Sequence, residues 1–379
     1  MRVVCYLQGV ILTVSLVALT AGRVEAATDC VFNVAGTKMV LAGDCTTDAT
    51  IYVPAGFTLD GAGHTITAVD PAGDHWRGAV VRNAGPTANV KRLTVTAFNL
   101  MDVCDTGAGV FGEDRLRGIA FYGASGSITG NRIIGLRQGS ASSCTEGTGI
   151  LAESAPFDGT HPHTQHVDIE DNVIVDVQRV GIAVQGDIQA DVAGNRVDLS
   201  SQVGAVEQFA IGMAYGAAGD VENNRIRSGF ADGAGFTASG VFLFEASRTR
   251  VTRNLITRVH EGVLVQSWCI QGAQHASRNV IATNAISAVH EGIVLVARSY
   301  PSSTCDPHVD QNQVAFNSIA SGPGITAQTG VFYGVQSLGG TFTPVADTNT
   351  VAANLITGFA FPLFDSSSTN TRVVGNVIR

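Results

Sequence analysis

The 379-residue sequence is poor in charge and very poor in lysine. Only 15% of its residues are charged, and its 23 basic residues include just two lysines, Lys38 and Lys91. The formal net charge is −9, so the chain lacks the basic footprint of a nucleic-acid or anionic-membrane binder, and we expect no nucleic-acid partner. The same charge argues against an acidic polysaccharide as substrate, unless a local basic strip or a bound cation offsets it.

Amphipathic stretches of helix length are also missing, which excludes leucine-rich and ankyrin-like repeats. Apolar residues make up 45% of the chain, too many for a disordered protein. The longest early apolar stretch, Val10 to Leu19, follows a positive start at Arg2 and precedes the small residues of "VEA" at 24–26. This pattern predicts an export signal over residues 1–26; the alternative, a membrane anchor, would need a longer span. We expect a secreted, periplasmic or cell-surface protein without a membrane span in the mature chain.

A short frame recurs along the chain: a hydrophobic residue, two further residues, Asn, one residue, and a second hydrophobic residue. The copies are "ITGNRI" at 128, "IEDNVI" at 169, "VAGNRV" at 192, "VENNRI" at 221, "VTRNLI" at 251, "IATNAI" at 281, "VAFNSI" at 314, "VAANLI" at 351 and "VVGNVI" at 373. An earlier copy, "VKRLTV" at 90, has Leu93 at the Asn position. Successive Asn positions lie about 22 to 41 residues apart, and most copies are followed by Gly and a short apolar strand, as in "GIAVQ" at 181.

Such a period, built from short strands, predicts a solenoid. Each unit supplies three strands and two turns, which is one coil of a parallel β-helix with coils stacked about 4.8 Å apart. Asn suits the turn because it tolerates left-handed backbone, and stacked Asn amides can bond to one another. We therefore assign these asparagines to architecture.

From "FTLDGAGHTITA" at 57 onward, the sequence resembles the right-handed parallel β-helix proteins of the pectin-lyase-like superfamily. The resemblance implies an all-β fold: a single-stranded right-handed parallel β-helix of about ten coils over residues 57–379, after an N-terminal cap at 27–56. It leaves the activity open, because this superfamily holds lyases, hydrolases, epimerases and non-enzymatic surface proteins. The Asp-Asp dipeptide of polygalacturonases and the basic pair of pectate lyases are absent. The sequence ends inside a coil, so either a loop such as 336–349 covers the last coil or this edge meets another subunit.

Six cysteines follow the signal, and an even number in an exported protein predicts three disulfides. Sequence alone allows about 15 pairings. Coil stacking favours the one that needs no long reach, since disulfide Cα atoms must come within about 7 Å. The predicted pairs are Cys30–Cys45, Cys104–Cys144 and Cys269–Cys305.

Two coils begin with the same ionisable pair, in "VHEGVLV" at 259 and "VHEGIVLV" at 289. Stacking would bring Glu261 next to Glu291 and His260 next to His290. Two carboxylates about 4.8 Å apart repel by roughly 1 kcal/mol in water and about 3.5 kcal/mol at an effective dielectric of 20. A shielded pair would leave one carboxyl protonated, which gives an acid and a base. The favoured alternative is a solvent-facing turn with mildly alternating charges.

A second candidate is Asp306-Pro307-His308 in "SYPSSTCDPHVDQ" at 299. This tract resembles the Asp-Pro-His tract of the mannuronan C5-epimerases, which implies that Asp306 and His308 are a reacting pair. The sequence departs from that family because "PSST" and Cys305 separate the tract from Tyr300. A surface turn beside a disulfide is the alternative.

Several neighbouring side chains are predicted to bind substrate. Arg298 could neutralise a uronate carboxylate bidentately, and Trp268 could stack on a sugar or pack under a loop. The predicted binding residues are Arg298, His260, Gln266, Trp268 and Tyr300. A further cluster in "FDGTHPHTQH" at 157 gathers Asp158, His161, His163 and His166, which could bind a metal or form a polar turn.

Strand alternation predicts which side chains fill the core and which face outward. Ile119, Ile182, Val241, Val263 and Ile293 are predicted to point inward. The outward set is unusually apolar: Tyr122, Leu151, Phe242, Phe244, Leu264, Val294, Val296 and Phe332. Such a strip is either roofed by the loops at 153–166, 266–279 and 297–313 or forms an interaction surface.

Three functions remain open from the sequence. The first is an exported lyase, epimerase or hydrolase that acts on an extracellular polysaccharide, with Asp306, His308, His290, Glu291 and Glu261 as acid–base residues. The others are a non-catalytic glycan-binding or adhesion protein and an oligomeric module built on the apolar strip or the C-terminal edge. The cofactor is unknown; a divalent cation such as calcium would suit an acidic substrate.

Overall fold

The computed structural model describes residues 28–97, 99–103, 114–138, 147–155, 165–199, 207–228, 238–269, 275–287, 290–322 and 328–379. The predicted export signal and the Cys104–Cys144 pair lie outside these residues. Within them the chain forms three long sheets, and each coil crosses sheet 1, then sheet 2, then sheet 3. No helix in the described ranges is long and apolar enough to cross a membrane.

The strands of the three sheets are as follows. Sheet 1 contains β4 (Ile51–Val53), β7 (Ala79–Asn83), β10 (Arg117–Tyr122), β13 (Thr148–Glu153), β16 (Val180–Gln185), β19 (Gln208–Ala214), β22 (Ala238–Phe244), β25 (Glu261–Ser267), β28 (Glu291–Ser299), β32 (Thr329–Ser337) and β36 (Phe361–Ser366). Sheet 2 contains β1 (Phe32–Ala35), β2 (Lys38–Leu41), β5 (Phe57–Asp60), β8 (Thr87–Lys91), β11 (Ser125–Thr129), β14 (Gln165–Glu170), β17 (Ile188–Ala193), β20 (Ala218–Glu222), β23 (Thr249–Thr252), β26 (Val280–Ala282), β30 (Gln313–Ala315), β34 (Thr350–Ala352) and β37 (Arg372–Val374). Sheet 3 contains β3 (Cys45–Thr47), β6 (Thr65–Ala68), β9 (Thr94–Thr96), β12 (Arg132–Ile134), β15 (Val173–Val175), β18 (Arg196–Leu199), β21 (Arg225–Ser228), β24 (Leu255–Thr257), β27 (Ala285–Ser287), β31 (Ser318–Ala320), β35 (Leu355–Thr357) and β38 (Val377–Ile378). A small parallel pair, β29 (His308–Asp310) and β33 (Val345–Asp347), lies outside the three sheets.

The recurring asparagines stack at the corner between sheets 2 and 3, as predicted. In each step the backbone N–H and the side-chain amide of one Asn donate to the side-chain oxygen of the next; from Asn224 to Asn254 these distances are 2.9 and 3.0 Å. The amide also donates to the backbone, as Asn254 does to Val221 at 2.8 Å. Leu93 begins the stack, because its N–H donates to Asn131 at 3.1 Å. This Asn ladder satisfies buried polar groups that would otherwise be costly.

A second, shorter Asn ladder lies at the corner between sheets 1 and 2, and the sequence reading missed it. Asn279 N–H donates to the side chain of Asn312, and Asn312 donates to Asn349, each at 2.9 Å. Each of these residues precedes an Asn of the main ladder by five positions. This constant five-residue spacing between the two sets of asparagines is the sequence pattern that could have predicted the second ladder.

Glycine at the start of the sheet 1 strands lets the coils approach closely. A Cβ added at Gly262 would lie 2.4 Å from the carbonyl oxygen of Gly292 and 2.5 Å from Ile286 of sheet 3. The side chains predicted to point inward are all fully buried in one continuous core. The alternation of the strands is therefore confirmed, and the fold is the predicted all-β parallel β-helix.

The two ends differ. At the N-terminal side, β1 pairs antiparallel with β2 at the edge of sheet 2, and the predicted Cys30–Cys45 disulfide closes next to it. At the other side, the last strands leave apolar side chains exposed, including Phe361, Val374 and Ile378. The predicted Cys269–Cys305 disulfide links the loops after β25 and β28.

Candidate active site

The repeated His-Glu pairs stack at the start of β25 and β28. Glu261 and Glu291 are register partners in sheet 1, and the rings of His260 and His290 stack with centroids 4.6 Å apart and planes 14° apart. The predicted stacking is thus present. The favoured interpretation as a solvent-facing turn does not match the structure, because only 8% of Glu261 is exposed and Glu291 is partly buried.

Polar contacts distinguish the two glutamates. The hydroxyl of Ser239, from the preceding coil, donates to Glu261 at 2.6 Å, and His260 Nδ1 lies 3.2 Å from the other carboxylate oxygen. The backbone N–H of Glu291 donates to the carbonyl of His260 at 2.9 Å, which fixes the step between the coils. Two carboxyl groups in one column therefore have different surroundings.

These surroundings shift the two pKa values in opposite directions. Burial raises the pKa of Glu261, but the hydrogen bonds from His260 and Ser239 and the charges of His260 and Arg298 outweigh it, so its pKa is lowered. The pKa of Glu291 is raised, first by burial and then by the charge of Glu261. Glu261 is the member that ionises first, and Glu291 is the member that keeps its proton to higher pH.

A third carboxylate, Glu207, was not predicted from the sequence. It directly precedes β19 and lies at the same end of sheet 1. The residue is exposed overall, but burial of its carboxyl group and then the charge of Glu261 raise its pKa, while the charges of Arg179 and Arg298 lower it. Glu207 belongs to no repeated motif, so its position could not be read from the sequence period.

Arg298 is the penultimate residue of β28, the strand that begins at Glu291. Its positive charge lowers the pKa of Glu207, Glu261 and Glu291. Its guanidinium donates to Gln336 at 2.8 Å and to Gln266 at 3.0 Å. Gln266 therefore orients Arg298.

Trp268 and Tyr300 form an aromatic row at the other end of the sheet 1 strands, because they directly follow β25 and β28, which begin at Glu261 and Glu291. Their ring centroids lie 4.5 Å apart, and the edge of Trp268 meets Phe244 at 5.2 Å. Phe242 continues the row and stacks on Phe209 at 4.4 Å. The backbone N–H of Trp268 donates a hydrogen bond to the side-chain carboxylate of buried Glu245 at 3.2 Å.

Asp306 and His308 lie at the opposite end of the sheet 1 strands. The nine-residue strand β28 separates Glu291 from this tract, roughly 26 Å at the usual rise per residue. Asp306 accepts a hydrogen bond from Thr343 N–H at 2.8 Å, and the ring of His308 packs against His275. The structure does not bring this pair to the carboxylates, and its role as a reacting pair stays a prediction.

Most of the apolar outward strip is covered rather than open. Leu264, Val294, Val296 and Phe332 form a cluster separate from the core, with Phe242 packed against it. Further along sheet 1 lies a cavity of about 110 Å³, lined by two arginines and several aromatic rings. The face therefore combines a packed apolar part with an open one.

Two described groups have the spacing of metal ligands, but one of them, Asp29 with Cys30 and Cys45, contains a disulfide. The other is formed by His166, Asp168 and Asp191. His166 Nε2 lies 3.1 Å from an oxygen of Asp168 and 3.8 Å from one of Asp191, on the outer face of sheet 2. The other histidines of the predicted cluster, and Asp158, lie outside the described residues. Exposed acidic groups of this kind are common without an ion, so calcium binding stays a prediction.

Comparison with known proteins supports the architecture. The family described as "Right handed beta helix region" matches residues 163–351. The chain is a right-handed parallel β-helix protein. Its three sheets of parallel strands agree with the matched region, so the predicted right-handed parallel β-helix is confirmed.

Solved structures of the same fold include two types of protein. A double mutant of the periplasmic alginate epimerase AlgG is 13% identical, with a TM-score of 0.54 over 91% of this chain and 79% of that chain. A tailspike mutant of E. coli bacteriophage HK620, in complex with a pentasaccharide, is 14% identical, with a TM-score of 0.55 over 87% of this chain and 60% of that chain. At such identities the likeness concerns the fold alone. A search of curated proteins gives no match.

Proposed function

We propose that this protein is a carbohydrate-active enzyme that hydrolyses a polysaccharide outside the cytoplasm, with Glu261 and Glu291 as its acid–base pair. The observation that carries the proposal is the opposite pKa shift of two register partners at one end of sheet 1. Glycosidases use two carboxyl groups of unequal pKa, one protonated and one ionised. The polysaccharide-related proteins of the same fold support the substrate class by analogy.

The two residues have distinct proposed roles. Glu291, with the raised pKa, protonates the glycosidic oxygen, and Glu261, with the lowered pKa, attacks the anomeric carbon. Their strands are neighbours, so their side chains start about 4.8 Å apart. This spacing suits a retaining enzyme, in which the carboxyl groups lie about 5–5.5 Å apart, better than an inverting one at about 6.5–9.5 Å.

A panel of neutral and acidic polysaccharides, assayed for new reducing ends, tests this function. We expect turnover on at least one glycan, a loss of about 100- to 10,000-fold in Glu261→Gln and Glu291→Gln, and no change in Glu170→Gln on sheet 2. Folded protein that cleaves nothing in the panel, or full activity in both active-site variants, would contradict the proposal. The anomeric configuration of the first product, followed by NMR, tests retention.

A non-catalytic glycan-binding role is the second candidate. The observation that favours it is the aromatic row from Phe209 to Tyr300, because sugar rings stack on aromatic faces. Binding without cleavage in the same panel would favour this alternative.

A further inference from the structure

A cluster of arginines lies on the same face of sheet 1, away from the carboxylate pair. Arg115 and Arg117 are 5% and 4% exposed, and Arg117 begins β10. Arg179 lies directly before β16, two strands further along the sheet. Burying guanidinium groups together is costly unless an anion or a strong hydrogen-bond acceptor compensates.

Arg179 is incompletely compensated within the described ranges. Its Nε is enclosed by protein and has no hydrogen-bond acceptor among the residues that the structure describes. Burial and the charges of Arg115 and Arg117 lower its pKa, and Glu207 offsets only part of this effect. The site therefore holds a positive group that an additional anion would stabilise.

The cluster borders the 110 Å³ cavity on the outer face. Its lining includes Arg117 and Arg179 together with the rings of Phe209, Phe242 and Phe244. Phe242 belongs to β22, and Ser239 of the same strand is the register partner of Glu261 in β25, so the cavity and Glu261 lie on adjoining strands of sheet 1. From Arg179 to Glu261 there are three coil steps, about 14 Å along the axis.

We propose that this cavity is a subsite for a carboxylate-bearing sugar unit of the glycan, with Arg179 as its main ligand and the phenylalanine rings as its apolar wall. Guanidinium forks bind carboxylates bidentately. The mostly apolar wall favours a singly charged carboxylate over a doubly charged phosphate, which would cost more to desolvate. The subsite rests on the proposed function, because it names the substrate class of that face.

The proposal also removes an objection raised by the sequence. A net charge of −9 argues against an acidic substrate unless basic groups are concentrated locally. Arg115, Arg117 and Arg179 provide that concentration on the face that carries the carboxylate pair. Other acidic groups lie on sheet 2, where Asp168, Asp191 and Asp220 are register partners.

Calorimetric binding to the full chain tests the subsite. The probes are short oligogalacturonates and oligomannuronates, and the same oligomers after chemical reduction of their carboxyl groups to alcohols. The binding is measured with the Glu261→Gln variant, which should not cleave the ligands. The same ligands are then compared with the unaltered protein, as a check that the variant has not changed their relative affinities. We expect tighter binding of at least one carboxylated oligomer than of its reduced form. In Arg179→Gln the carboxylated oligomer should bind about 10- to 100-fold more weakly.

Two further variants separate charge, geometry and folding. Arg179→Lys keeps the charge but loses the planar fork, so we expect an intermediate loss. Arg132→Gln, an exposed arginine on sheet 3, should leave binding unchanged. Equal affinity for carboxylated and reduced oligomers, no binding of any carboxylated oligomer, or unchanged binding in Arg179→Gln would overturn the subsite.

The two proposals fail in different ways. Cleavage of a neutral glycan that is lost in Glu291→Gln, without carboxylate-dependent binding, overturns the subsite and leaves the hydrolase standing. Binding that depends on Arg179, without cleavage of any glycan, supports the subsite and overturns the hydrolase.

Discussion

Two columns of stacked side chains in this β-helix share the same geometry and differ in chemistry. In the Asn ladder, each neutral amide donates to the next at 2.9–3.0 Å, so every added coil satisfies the one before it. In the column of Glu261 and Glu291, the same stacking brings together two acids, and their pKa values separate. Register alone therefore does not determine what a column does. Neutral amides stabilise the coil, whereas ionisable groups in the same arrangement become chemically unequal.

The largest effect should come from breaking the Asn ladder. Asn254→Ala leaves the buried N–H and side-chain amide of Asn224 without their acceptor and removes the bond to Val221. We expect a loss of at least about 3 kcal/mol in the free energy of unfolding, measured by urea denaturation. Asn33→Ala, on exposed β1, is the control and should cost less than about 0.5 kcal/mol. A loss below about 1 kcal/mol in Asn254→Ala would contradict the claim that the Asn ladder stabilises the stacked coils.

The two glutamates should respond unequally to the same substitution. Glu261→Gln removes a carboxylate that accepts from Ser239 and faces His260, so we expect a loss of about 1–3 kcal/mol in stability at neutral pH. Glu291→Gln replaces a carboxyl group that resists ionisation with a neutral group of similar shape, so we expect a change below about 0.5 kcal/mol or a slight gain. Equal losses, measured by the same denaturation experiment, would show that the two sites are equivalent.

The pH dependence of stability should also differ between the two variants. The raised pKa of Glu291 contributes stability below its ordinary pKa that is lost as the pH rises through the raised value, so Glu291→Gln should gain relative to the native chain as the pH rises above the ordinary glutamate pKa. The lowered pKa of Glu261 contributes stability above its ordinary pKa that is lost on acidification, so the deficit of Glu261→Gln should shrink toward low pH. Thermal melts across a series of pH values measure both trends. Parallel curves would contradict the assignment.

The smallest effect is expected in the charged column on sheet 2. There Asp168, Asp191 and Asp220 are successive register partners, and Arg250 follows Asp220. The Arg250–Asp220 ion pair, at 2.8 Å, lies on the surface with 59% of the Arg250 side chain exposed. Arg250→Gln should therefore cost less than about 0.5 kcal/mol, and less still in high salt. A larger loss would show that columns of side chains on the surface contribute as much to the free energy of unfolding as buried columns do.

The sequence predicted the parts of the molecule that repeat. The Asn frame and the Gly-strand signal fixed the coils closely enough to pair Glu261 with Glu291 and Cys269 with Cys305. Burial of the glutamate pair was not predictable, because it depends on neighbouring coils and on Ser239, which belongs to no motif.

The remaining members of the site escaped prediction for a related reason. Glu207 and Arg179 each directly precede a strand of sheet 1, and the number of residues between a sheet 3 strand and the next sheet 1 strand varies from coil to coil, so the repeat period does not tell which coil such a residue reaches. Asp306 and His308 carried a motif, yet they lie at the other end of the strands from the carboxylates. A tripeptide motif alone does not indicate at which end of the sheet strands it will lie.

A titration of the glutamate side chains by carbon-13 NMR tests the central claim most directly. The carboxyl signals of Glu261 and Glu291 would be assigned through Glu261→Gln and Glu291→Gln. The account predicts that one signal titrates below the ordinary glutamate pKa and the other above it, and that replacing Glu261 moves the pKa of Glu291 back toward the ordinary value. Two signals that titrate together at the ordinary value would contradict it.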